Sequence, residues 1–321
     1  MKYGFTMPIR APLCTAENLV TIARRGEDLG YDSMLLGEHI VVSRRVDSLY
    51  PYTPTGVFPG FGQSELEVSH MEPLAILAFL AGQTQSIRLG TGVMIMPHRN
   101  PLVVAKILAT IDVLSNGRLV LGVGVGWMRE VFEALGSPPF EERGAVTDEY
   151  IRAIKELWTS PNPTFEGNYC RFSDITFLPK PLQKPHPPIW IGGEGLRAIR
   201  RAAELGDAWH PVGANPRFPL GELHQLASAL KRLASYADRA GRDPGKIEVA
   251  FRTHAYDLRK GSTKGNRRLL EGAADEIASD IRALEEIGVT QLVMHFIDFD
   301  KPVEHALQSL EDMTTQVWPR V

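Results

Sequence analysis

Four short stretches of this chain carry residues whose types and spacing could do chemistry. In "LLGEHIV" a carboxylate and an imidazole, Glu38 and His39, stand side by side at the end of an apolar run. Histidine titrates near neutrality and can move protons, and an adjacent carboxylate can orient it or hold its charge. Such a histidine can equally cap a loop or face solvent. In "SIRLGTGVMIMPHRNP", residues 86–101, Gly90 and Gly92 flank Thr91 where a buried strand should carry bulk. Glycine there marks a bulge, or a place where something packs directly on the backbone at Gly92.

"LGVGVGWMRE" invites a dinucleotide-binding reading and does not support it. Its spacing is G-x-G-x-G, and no acidic residue ends a following strand about twenty residues on. The glycines indicate either close approach of a ligand to Val125, Gly126 and Trp127 or tight packing. "IGGEGLRAIRRAAELG" reads as a strand, a glycine turn and a helix start. Free N–H groups and the positive end of the helix dipole make that turn an anion site, built on Gly192, Gly193, Glu194 and Gly195. Glu194 would repel an anion unless its side chain turns away. Arg197 could offset that charge, and Arg200 and Arg201 are expected on the solvated face.

The remaining titratable residues are less directive. Nine histidines contain no H-x-H or H-E-x-x-H, and Cys14 and Cys170 cannot form a four-cysteine site, so no metal is expected. His210, His254 and His295 fall near the ends of expected strands and are secondary candidates for facing substrate. Asp112, Ser115 and Arg118 in "DVLSNGR" read as a structural helix C-terminal turn.

These residues need elements to position them, and the chain supplies strands and helices in strict alternation. Strands are expected at Tyr3–Pro8, Ser33–Glu38, Ile87–Met96, 118–126, 188–193, 207–212, Ile247–His254 and Gln291–Ile297. Helices are expected at Ala16–Leu29, from Pro101 to about Leu114 behind an Asn100 cap, in a long region ending near Trp158, at Leu196–Leu205, and at Val303–Met313. Eight such units with no composition break predict one closed (β/α)8 TIM barrel over residues 1–321, an α/β fold. Three stretches exceed ordinary connections: Ile40–Met71 after strand 2, Ser160–Pro188 after strand 4, and Asp257–Glu271 after strand 7. The first and third fall at the catalytic face. The second reads as a small β-hairpin. "RVDSLYPYTPTGVFPGFGQ" predicts a lid with an apolar or aromatic binding wall.

Bulk numbers agree with an ordinary globular protein. Its 321 residues are 44% hydrophobic and 23% charged with a net charge of -3, so no basic face recommends nucleic acid. The longest apolar stretch, "PLAILAFLAG", is about half a membrane span. A cytoplasmic protein without a signal peptide is expected.

Four blocks carry a resemblance: "AENLVTIARRGEDLGYDSMLLGEHIV", "MEPLAILAFLAGQTQSIRLGTGVMIMPHRNPLVVAKILATIDVLSNGRLVLGVGVGW", "ALGSPPFEERGAVTDEYIRAIKELW" and "FLPKPLQKPHPPIWIGGEGLRAIRRAAELGDAWHP". In this order they resemble the luciferase-like monooxygenase superfamily, particularly its coenzyme F420-dependent oxidoreductase branch. The resemblance implies a barrel of the bacterial luciferase-like type with a deazaflavin, or alternatively FMN, at its C-terminal end. It also implies a homodimer packed through the helices after strands 2 and 3, acting on a small organic substrate. It implies a non-proline cis bond at Gly92–Val93, with Gly92, Val93 and Met94 backing the cofactor ring. Val125, Gly126 and Trp127 would flank ring and side chain. The turn Gly192–Gly195 with Arg197 would hold the cofactor phosphate, and His39 with Glu38 would supply a proton near the reactive carbon. F420-dependent hydride transfer is the leading expectation. An FMNH2-dependent, oxygen-using monooxygenase is the alternative, and a non-catalytic flavin-binding module is a third.

Overall fold

The structure, a computed structural model, describes residues 1–58, 69–253, 257–258 and 267–321. Eight strands form the framework: β1 Lys2–Thr6, β2 Ser33–Leu36, β3 Arg88–Ile95, β4 Leu119–Gly124, β5 Ile189–Gly192, β6 Ala208–His210, β7 Glu248–Arg252 and β8 Gln291–Met294. They close into a barrel in the order β1–β8–β7–β6–β5–β4–β3–β2, every neighbouring pair parallel. Pairing of Lys2 with Gln291 and of Phe5 with Met294 seals the ring.

Around it run α1 Ala16–Asp28, α2 Pro73–Ala81, α3 Pro101–Leu114, α4 Arg129–Leu135, α5 Arg143–Thr159, α6 Leu196–Leu205, α7 Leu223–Arg239, α8 Ala274–Glu286 and α9 Val303–Asp312. Local chemistry sets their starts. Thr15 caps α1 through the Asn18 N–H, and Asn100 caps α3 through the N–H groups of Leu102 and Val103, with Pro101 at its first position. The long helical region after β4 is two helices, because Gly136 adopts a left-handed φ of 61° and ends α4.

Two apolar compartments result. The larger lies between barrel and helices; the smaller fills the barrel with Leu35, Val120, Trp190, Ala208, Ala250 and Val293. Alternation along each strand divides side chains between them. The floor is polar: Arg88 pairs with Asp32 and donates to Gln291, which donates to Ser33. "DVLSNGR" is structural as expected. Buried Arg118 donates to the carbonyls of Ala81, Thr84, Ile87 and Ser115, and Asp112 accepts from Gln183.

The hairpin expected within 160–188 pairs Phe165–Glu166 with Arg171–Phe172. Arg201 corrects an expectation: it is buried, not solvated, because α6 packs on α5 and the guanidinium pairs there with Asp148 and the Gly144 carbonyl. Arg200 is on the exposed face, paired with Glu204 one turn on.

Candidate active site

The C-terminal end of the barrel is shaped first by the interruption in β3. Its register against β4 shifts between Thr91 and Met94, a bulge where the glycines foretold one. Thr91 stabilises the bulge by donating through Oγ1 to the Gly122 carbonyl and accepting from the Gly122 N–H, at 2.8 and 2.9 Å. Among the described residues the cis bonds are Ala11–Pro12, Leu178–Pro179 and Lys184–Pro185; Gly92–Val93 is trans, contrary to expectation, and the bulge is carried by a shift in register alone.

The bulge turns Val93 across the barrel mouth. A Cβ on Gly192 would stand 2.8 Å from Val93 Cγ2, and one on Gly124 would overlap Cγ1. A Cβ on Gly122 would meet the backbone oxygens of Thr91 and Gly92. At Gly92 itself the nearest atom would be the Leu36 carbonyl at an ordinary 3.5 Å. Close approach therefore falls on Gly122, Gly124 and Gly192, and Val93 is a shelf resting on the last two. Met94 is fully buried in the outer core, so its side chain is not at the mouth.

Glu38 and His39 follow β2 and part company. The Glu38 carboxylate is buried, accepts from the Ile95 N–H at 2.6 Å and pairs with Arg99, which also pairs with Glu72. It makes no hydrogen bond to His39. Burial pushes the Glu38 carboxyl up and Arg99 opposes that rise. His39 instead lies edge-on to Phe58 and to His70, at 5.6 and 5.2 Å between ring centroids. Burial, with His70 and Arg10 nearby, lowers it to about 4. It is neutral at pH 7, and among the described residues neither ring nitrogen has a hydrogen-bond partner.

His98, which the residue patterns did not single out, belongs to the same group. Its Nδ1 lies 3.9 Å from Glu38 Oε2, its ring stands edge-on to Phe132, and both nitrogens are buried without partners. Burial, then Arg99 and His39, hold it down to about 4.

After β4, Gly126 takes a φ of +83°, where a Cβ would crowd Ile95 and Phe132. Trp127 joins an aromatic wall with the insertion after β2: Tyr50 lies 5.2 Å from Trp127 edge-on, and Phe58 stacks on it at 5.9 Å. The insertion is pinned by Glu130 in α4, which accepts from the Asp47 and Ser48 N–H groups and the Ser48 hydroxyl. Of the expected lid, residues 59–63 lie outside the described residues.

The β5–α6 turn resolves the oddity of Glu194. Its carboxylate is buried away from the helix start, accepting from Val212 N–H and Asn215 Nδ2 at 2.8 Å each and from the Tyr52 hydroxyl at 3.5 Å. Burial raises it. The first turn of α6 keeps no side-chain cap, and Gly193 holds a φ of +109° with its carbonyl accepting from Trp209 Nε1. Arg197 is exposed beside this turn.

Beyond it, β6 to β8 present polar groups inward. His210 is fully buried, with Nδ1 2.6 Å from the Ala250 carbonyl, and burial lowers it to about 4. His295 Nδ1 meets Thr6 Oγ1 at 2.6 Å. Arg252 ends β7 with a buried, unpartnered Nε. His254 lies outside the described residues. Among the described residues no cluster of three His, Cys, Asp or Glu is placed to hold a metal ion.

This arrangement has relatives. The luciferase-like monooxygenase family matches over residues 1–257. The chain belongs to that family. An FMNH(2)-dependent dimethylsulfone monooxygenase from Pseudomonas putida is 38% identical over 276 residues, 73% of this chain and 76% of its own. An F420-dependent glucose-6-phosphate dehydrogenase from Amycolatopsis mediterranei is 32% identical over 195 residues, 60% of this chain and 52% of its own. Among solved structures, monooxygenase RslO1 from Streptomyces bottropensis superposes with a TM-score of 0.75 at 22% identity, covering 99% of both chains. The F420-dependent tetrahydromethanopterin reductase of Methanopyrus kandleri superposes at 0.74 and 17% identity, over 99% of this chain and 98% of its own.

The relatives of this luciferase-like chain thus include oxidoreductases of small molecules that depend on F420 or on reduced FMN. Its barrel brings His39, Val93, Trp127 and the Gly192–Gly195 turn to one end. It draws Met94 into the core and ties Glu38 to Arg99. His98 and Arg252 emerge only from the fold: their burial depends on partners from distant strands, which no local pattern reports. Among the described residues no helix is long and apolar enough to cross a membrane.

Proposed function

We propose that this luciferase-like protein is an F420-dependent oxidoreductase that moves a hydride between the deazaflavin and a small organic substrate. The observation that carries the reading is a neutral His39, with both ring nitrogens unpartnered among the described residues, at a mouth floored by Val93 and walled by Tyr50, Phe58 and Trp127. The residues suit a flat tricyclic ring. Side chains on Gly124 or Gly192 would displace the shelf, and the uncapped first turn of α6 offers N–H groups to a phosphate. F420, when bound, takes up or gives a hydride at its deaza carbon.

His39 manages the accompanying proton. A group held near 4 is neutral at pH 7, so His39 is free to accept a hydrogen bond from a substrate hydroxyl and to take its proton as the adjacent carbon is oxidised. Glu38 holds Arg99 and the Ile95 N–H, which fixes the end of β3 rather than the charge of His39. The aromatic wall excludes water from the reacting atoms.

A second reading, an FMNH2-dependent monooxygenase, is favoured by the 38% identity to the dimethylsulfone enzyme. Titration of the protein with F420 and separately with FMN, followed by quenching of Trp127, discriminates them. Micromolar binding of F420 alone supports hydride transfer; preference for FMN overturns it in favour of oxygen chemistry. We further infer a homodimer through α2 and α3, whose outer surfaces expose Phe79, Val103, Ile107, Val113 and Leu114.

A further inference from the structure

His98 is a buried imidazole that no hydrogen bond holds in place. It ends the single 3₁₀ turn Met96–His98 behind β3, with its ring edge-on to Phe132 of α4 at 4.7 Å and both nitrogens buried without partners. Burying polar atoms unsatisfied costs stability, and an apolar ring of the same shape would avoid that cost. Beside it lies an unbalanced ion cluster. Arg99 pairs through Nη1 with Glu38 and through Nη2 with Glu72, so two carboxylates share one guanidinium and the group carries one excess negative charge. Its buried end is Glu38, 1% exposed, whose Oε2 accepts from the Ile95 N–H at 2.6 Å and lies 3.9 Å from His98 Nδ1. Its outer end is Glu72, 42% exposed at the cap of α2. The charged and titratable groups that face His98 are Glu38, Arg99 and His39, and α4 offers only the ring of Phe132.

A shift of about 1 Å brings His98 and Glu38 to hydrogen-bond length, and the ring has no bond to break in making it. Protonating Glu38 leaves Arg99 and Glu72 as a balanced pair, so no buried charge is orphaned by it. At His39 the opposite holds, because a proton there adds positive charge beside His70 and Arg10. We propose that His98 is a positioning residue that acts through His39, relaying the proton taken from the substrate to the Glu38 carboxylate, which holds it while the product leaves. The substrate O–H bond breaks as an N–H bond forms on His39, and the hydride leaves the adjacent carbon for F420. The proton then binds His98 Nε2 as the proton on Nδ1 leaves for Glu38 Oε2. Such a concerted exchange suits a ring that burial keeps neutral. No electrons move in the relay, and the proton returns to water by the same path after product release. The proposal rests on the functional reading above in taking His39 as the base.

The test is an acid titration of the intact protein without cofactor, followed by NMR of isotope-labelled histidine rings and glutamate carboxyls. Wild-type His98 should carry its proton on Nδ1 at about pH 8 and switch to Nε2, still neutral, in the step in which Glu38 takes up a proton. That step should precede protonation of His39. Glu38→Gln still accepts from the Ile95 N–H through its amide oxygen, and there the switch should be lost while His39 titrates as in wild type. His98→Phe should slow proton exchange at His39, read from its linewidth near the midpoint. A His98 that keeps one tautomer throughout is merely structural and overturns the proposal. So does a switch that survives in Glu38→Gln, a His39 that protonates before Glu38, or an exchange rate unchanged in His98→Phe. The wild-type titration decides the question by itself should Glu38→Gln not fold. Preference for FMN over F420 overturns the functional reading alone, because the tautomer switch is measured without cofactor.

Discussion

His39 occupies a position where protonation state decides what it can do. With its imidazole at about 4, the base form dominates across neutral pH, so oxidation of a substrate should be flat above about pH 6 and fall as pH drops toward 4. His39→Ala should lower turnover roughly 10²–10⁴-fold and leave cofactor affinity near wild type, read from steady-state kinetics beside a binding titration. Unchanged turnover would remove His39 from the mechanism. The same burial has a stability consequence. His39, His98 and His210 are each held near 4, against about 6.5 in an unfolded chain. Between those values the unfolded state binds more protons, so stability present above pH 6.5 is lost as the solution is acidified. Urea midpoints from pH 8 to pH 4.5 should show that fall. His98→Phe should reduce its slope by up to about 1.4 kcal/mol per pH unit, because that ring makes no hydrogen bond to lose.

The decisive element is the bulged β3. "LGTGV" announces a bulge from its glycines alone, yet the glycine that shapes the shelf is not the one in the middle of the motif. A Cβ at Gly92 would make only ordinary contacts, whereas Gly124 and Gly192 on neighbouring strands lie beneath Val93. Gly92→Ala should therefore stay close to wild type in stability and cofactor binding. Gly124→Ala should keep the fold and weaken cofactor binding roughly tenfold, because stiff, β-branched Val93 must move. Gly122→Ala meets backbone rather than side chain and should destabilise the barrel by about 4 kcal/mol or more, measured by denaturant unfolding. Such effects are invisible in sequence, since each depends on which residue of the next strand lies opposite. The α6 turn makes the same point. Its anion-binding form is legible in "IGGEGL", but only Val212 and Asn215, brought in after β6, show where the Glu194 carboxylate goes.

For the molecule as a whole, the outer faces of α2 and α3 give the clearest expectation. Light scattering on the eluted protein should return twice the 35.6 kDa chain mass, and Val103→Glu combined with Ile107→Glu should return the monomer. A monomeric wild type would leave that apolar face without its proposed partner.

The alternation of elements, the eight-strand barrel, the hairpin and the capped ends of α1 and α3 were determined by the sequence itself, because each follows from periodicity and local hydrogen bonds within a few residues. So was the placement of the candidate residues in outline: strand ends carry Glu38, His39, the glycines and Trp127 to one face once the barrel closes. Tertiary structure alone decided that Glu38 serves Arg99 and not His39, that Val93 and not Gly92 forms the shelf, that Arg201 is buried, and that the His98 ring and the Nε of Arg252 make no hydrogen bond among the described residues. Those outcomes turn on contacts between strands far apart in the chain and on how much water each charge loses. Neither is encoded in any single stretch.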